Sequence, residues 1–94
     1  MSADKTSAGL SLEEIKKLPH EEAIAALTCV LERNPGNDEA LAMRGQLHWT
    51  MNHRREAIND YLAAITINPE SRAKMLLEYA YSILDFYSKD LLNP

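Results

Sequence analysis

Ninety-four residues suffice for one domain with a modest core. Fourteen acidic against ten basic side chains leave a net charge of −4, which argues against a nucleic-acid binder, since that function needs a basic face. A single cysteine, Cys29, cannot close an internal disulfide, and no stretch approaches the roughly 18 apolar residues of a membrane span, so a soluble cytoplasmic protein is expected.

Residues 1–9 are small and polar and read as a disordered tail, without the apolar run of a secretory signal. Ser11-Leu12-Glu13-Glu14 is a capping box that opens a first helix, with Lys16 and Lys17 expected in its last turn. Pro19 ends that helix and starts the next. A second helix is expected over about His20 to Arg33. Ala23, Ile24, Leu27, Val30 and Leu31 recur on one face of it. Asn34-Pro35-Gly36-Asn37 is a turn, and Asn37 is placed to cap a third helix over about Asp38 to Thr50. Asn52 sits where the chain must turn, and asparagine tolerates positive φ better than most residues. A fourth helix spans about Arg54 to Ile67, with Ala57, Ile58, Tyr61, Ala64 and Ile65 facing inward. Asn68-Pro69-Glu70-Ser71 is a second turn. A fifth helix, about Ser71 to Lys89, carries Ala73, Leu76, Leu77, Ala80, Ile83, Leu84 and Tyr87 as its main stripe. Leu91 and Leu92 continue its apolar character toward the C-terminus. Its apolar arc spans roughly 200°, more than cover for one neighbouring helix requires.

The chain repeats internally. Ala23 and Ala57 are 34 residues apart, as are Leu27 and Tyr61, Leu31 and Ile65, and Pro35 and Pro69. Within Asp38 to Ser71, Leu41 stands four residues before Gly45, Ala57 four before Tyr61, and Ala64 and Pro69 follow. This pattern resembles the tetratricopeptide repeat family. The likeness covers 38–71 well and 21–37 more loosely. Arg44 departs from the family's leucine, His48 from its tyrosine, and Asn52 from its turn glycine. An acid beside Arg44, or solvent, is expected to satisfy it. The small side chains Gly45, Ala57 and Ala64 are expected to let paired helices approach, with Leu41 and Tyr61 filling the space left.

The resemblance implies an all-α fold of five helices, in antiparallel pairs stacked as a short right-handed α-solenoid. It divides the chain into a tail (1–9), a truncated repeat (10–37), a full repeat (38–71) and a closing helix with its tail (72–94). It also implies a concave groove lined by the first helix of the full repeat, at Glu39, Ala42, Gln46, Trp49 and Thr50. Family members that clamp a C-terminal carboxylate carry Lys, Arg and Asn at such positions. Glu39, Ala42 and Gln46 stand there instead, so chaperone C-termini are not expected as ligands. Trp49 either anchors a partner in the groove or packs under the fifth helix as core.

No catalytic constellation is visible. The pairs Glu13-Glu14 and Glu21-Glu22 lie at helix starts, where capping accounts for them. Cys29 reads as a small buried side chain. His48 and His53 are five apart, on different faces of a helix and across a turn, and the helical zinc motif uses i, i+4. No metal site, cofactor or enzyme activity is therefore expected, and His53-Arg54-Arg55 reads as a solvated turn. The function expected is binding of a protein or peptide partner. The surplus apolar surface on Met75, Tyr79, Tyr81 and Phe86 suggests an alternative reading, a structural element that self-assembles as a homodimer through the C-terminal helix.

Overall fold

The computed structural model describes residues 10–92, with side chains through residue 86. The stretch 1–9, read from the sequence as a polar tail, lies outside the described residues. So do the side chains of Tyr87, Lys89, Leu91 and Leu92. Among the described residues there are five helices and no strand: α1 (Leu12–Ile15), α2 (His20–Arg33), α3 (Asp38–Thr50), α4 (Arg54–Ile67) and α5 (Ala73–Leu92). Each packs on the next, and α3 also touches α5. None is long and apolar enough to cross a membrane.

The local chemistry sets the boundaries. The Glu14 N–H donates to Ser11 Oγ at 3.2 Å, and the Ser11 N–H donates to Glu14 Oε1 at 3.0 Å, so the capping box forms. The helix it opens is a single turn of 4 residues, shorter than expected, and Lys16 and Lys17 fall beyond its last turn. That turn nevertheless seats Ile15 in the core, fully buried. Asn37 Oδ1 accepts from the Ala40 N–H at 3.0 Å and starts α3. The fifth helix starts at Ala73, later than Ser71, and the Ser71 hydroxyl accepts from the Ala73 N–H at 3.1 Å at its entrance.

The internal repeat is visible in the backbone. The Asn34 N–H donates to the Val30 carbonyl at 2.9 Å, and the Asn68 N–H to the Ala64 carbonyl at 2.8 Å. Asn37 then donates back to Asn34, and Ser71 back to Asn68. The same turn is built twice, one repeat length apart.

Small residues dominate the core. Of the fifteen buried hydrophobic residues described, eight are alanine, including Ala23, Ala57, Ala64, Ala73 and Ala80. Close helix approach follows. A Cβ placed on Gly45 would lie 2.7 and 2.8 Å from two ring carbons of Tyr61, and 3.2 Å from the Ala57 carbonyl oxygen. Gly45 therefore lets α3 lie against α4, and Tyr61 fills the remaining space as expected.

Candidate partner-binding surface

Helix α3 is packed by α2, α4 and α5. Four successive residues, Ala40, Leu41, Ala42 and Met43, are consequently buried. Ala42, expected on the groove, offers no side-chain surface there; it is packing. Gln46 and Thr50 are exposed, and Glu39 and Trp49 are half-buried. Two adjoining cavities open along this side. One of about 250 Å³ is lined by Lys16, Met43, Gln46, Leu47, Thr50 and Arg72. The other, about 130 Å³, is lined by Gln46, Trp49, Thr50, Tyr61, Leu76 and Tyr79. Gln46 and Thr50 stand on the ridge between them.

Trp49 sits at the edge of the core. It packs against the core and also lines the smaller cavity. The Arg54 guanidinium carbon lies 5.0 Å above its ring, a cation–π contact that holds the indole in place. Tyr79, read from the sequence as part of a self-association surface, lines the same cavity.

Helix α5 contributes more to this surface than periodicity suggested. Arg72, just before it, donates from Nε to Glu39 Oε2 at 2.8 Å and from Nη1 to Gln46 Oε1 at 3.3 Å. One guanidinium thereby orients two side chains of α3. Lys16, Arg72 and Leu76 were missed as wall residues because they lie outside the repeat whose spacing marked the groove.

Behind the groove, Arg44 finds the acid that the sequence reading anticipated. It grips Asp60 with two prongs and donates from Nη1 to Thr28 Oγ1 at 3.1 Å. The Thr28 hydroxyl donates in turn to the Ile24 carbonyl at 2.9 Å. The hydrogen bond to Asp60 raises the Arg44 pKa above its ordinary value, which keeps the guanidinium charged.

The expected separation of His48 and His53 does not hold. Their Nδ1 atoms lie 3.3 Å apart and their ring centroids 5.5 Å apart. The cause is the turn. Asn52 adopts φ 68°, the Asn52 N–H donates to the Trp49 carbonyl, and the His53 N–H donates to the His48 carbonyl at 2.7 Å. That is a Schellman motif with asparagine in the left-handed position. It folds His53 back over the helix end, onto His48. Burial lowers the His48 pKa; Arg44 and His53 act in the same direction, while Asp60 and Glu56 oppose it. Cys29, expected to be buried, is a half-buried free thiol.

Of the predicted self-association residues, Met75, Tyr79 and Phe86 are 66%, 63% and 65% exposed. At about 100° per residue they share one stripe of α5. Tyr81 is also exposed but lies roughly 140° round the helix from them.

Residues 38–71 match the family model of the tetratricopeptide repeat. No curated protein and no solved structure matches the chain.

Proposed function

We propose that this chain, whose residues 38–71 are a tetratricopeptide repeat, is a non-enzymatic interaction module that takes an extended segment of a partner polypeptide along its concave side. The observation that supports this reading is the pair of adjoining cavities that meet at Gln46 and Thr50. Gln46 and Thr50 present amide and hydroxyl groups suited to a peptide backbone. Trp49, Leu76 and Tyr79 surround a small apolar recess suited to one side chain. Lys16 and Arg72 line the larger cavity, and Arg72 is paired with Glu39. Trp49 is the residue expected to contribute most, as a half-buried aromatic anchor.

A photo-crosslinker at position 46 tests this reading, with one at the exposed position 25 on α2 as control. The reading expects a polypeptide captured at 46 and not at 25, with capture lost on Trp49→Ala. Equal capture at both positions, or full capture by Trp49→Ala, counts against it.

The exposed stripe Met75, Tyr79 and Phe86 favours a second reading, a structural element whose partner is a second copy of itself. It expects a dimer mass in sedimentation at tens of micromolar, reverting to monomer on Met75→Glu. A monomer mass for the unaltered chain removes it. Tyr79 lies on both surfaces, so Met75 and Trp49 are the variants that separate the two readings.

A further inference from the structure

The contact between His48 and His53 is unused by either reading above. Among the described residues neither imidazole has another hydrogen-bond partner. His53 occupies the N-cap position of α4, yet its side chain caps nothing and turns to His48. Two neutral rings at this distance share one proton, one Nδ1 donating and the other accepting. The same distance also suits another occupant. Two zinc–nitrogen bonds of about 2.0–2.1 Å at a tetrahedral angle hold their nitrogens roughly 3.3–3.4 Å apart. The separation in this turn is 3.3 Å.

We propose that His48 and His53 form a two-histidine chelate for a zinc-class divalent ion, each ligating through Nδ1, with water in the remaining positions. Two further observations support the site. The backbone beneath it is fixed by the two Schellman hydrogen bonds, so both ligands are held by the turn before any ion arrives. His53 is exposed and His48 half-buried, so an ion enters from solvent without opening the core. The surrounding charge is mixed: Asp60 and Glu56 act on His48 as negative charges, while Arg44 opposes them and Arg54 and Arg55 follow His53 in the chain. The described residues assemble no cluster of three or more ligands. The site is therefore open, and weaker than a closed structural zinc site. Borderline ions that favour imidazole are expected to bind, and calcium and magnesium are not.

Zinc chloride titrated into the untagged full chain tests this, read by the ring nitrogen NMR signals of the three histidines. The expected result is a saturable shift of the His48 and His53 Nδ1 signals together, at one ion per chain, with His20 unmoved. His53→Phe and His48→Phe should each weaken binding by at least about tenfold, and His20→Phe should not. If His48→Phe disturbs the fold by circular dichroism, His53→Phe on the exposed turn decides. Unchanged affinity in His53→Phe, or no saturable shift of the pair at millimolar zinc, overturns the proposal.

Discussion

The guanidinium of Arg44 and the carboxylate of Asp60 meet in two parallel hydrogen bonds, Nε to Oδ2 and Nη2 to Oδ1, both 2.8 Å long. Asp60 is only 7% exposed, so this partner takes the place of the water it has lost. Through Thr28 the same guanidinium also reaches α2, tying three helices at one point. Arg44→Leu restores the residue the family favours here but strands a buried carboxylate, at an expected cost of about 3 kcal/mol. Arg44→Leu combined with Asp60→Ala should cost clearly less than the two single changes added together. Urea midpoints of the four proteins decide it; strict additivity would mean the two residues are not coupled.

Gly45→Ala sets two effects against each other. Alanine gains about 1 kcal/mol of helix propensity over glycine. Its methyl group, however, enters the space of the Tyr61 ring, 2.7 Å from the nearest carbon. That ring is buried between helices, and its only open side is the small cavity it lines with Trp49. Overpacking of this kind costs about 1–3 kcal/mol, so the clash should win or cancel the gain. Each kcal/mol lost lowers Tm by roughly 4–8 °C in a chain of this size. Tyr61→Leu, which copies Leu27 of the first repeat, should recover much of any loss caused by Gly45→Ala. A higher Tm in Gly45→Ala alone would show that helix approach does not select glycine here.

The bounds of α2, α3 and α4 were legible because each end carries its own chemistry. Asn37 caps, Asn52 turns, and Pro35 and Pro69 stop what precedes them. The packing of Ala57 and Tyr61 was legible from the repeat spacing. The groove was only half legible. Periodicity assigns each helix one covered face, but α3 is covered by three neighbours, so Ala42 is buried where a groove residue was expected. Arg72 reaches Glu39 across 33 residues of sequence, and no local pattern reports that contact. His48 and His53 escaped for a different reason. Helical spacing assumes a straight path, and the Schellman turn bends the chain back within five residues. The signal was present in Asn52, whose tolerance of positive φ implies such a reversal.

Asn52 offers a test of that turn. At φ 68° an ordinary L-residue is strained by roughly 1–2 kcal/mol, asparagine by less and glycine hardly at all. Asn52→Gly should therefore raise stability slightly, by about 0.5 kcal/mol, since glycine's extra freedom in the unfolded chain offsets part of the relief. Asn52→Val should lower it by about 1–2 kcal/mol. Thermal melts of both variants check the order Gly, Asn, Val. Equal Tm values for Val and Asn would show that the turn relaxes to another conformation.

Arg72 separates binding from stability. Its ion pair with Glu39 leaves the two side chains 35% and 44% exposed, so water screens most of the attraction. Exposed pairs contribute about 0–1 kcal/mol, and Arg72→Ala should move Tm by only a few degrees. The same change releases Glu39 and Gln46 together, because one guanidinium holds both. Two groove side chains would then regain rotamer freedom that a bound segment must remove again, which weakens binding. Arg72→Ala should thus retain its fold by circular dichroism and lose most crosslinked partner captured from position 50. Arg72→Lys should not rescue capture, since an ammonium lacks the planar fork that reaches both acceptors. Full capture by Arg72→Ala at unchanged Tm would place the partner away from Glu39 and Gln46.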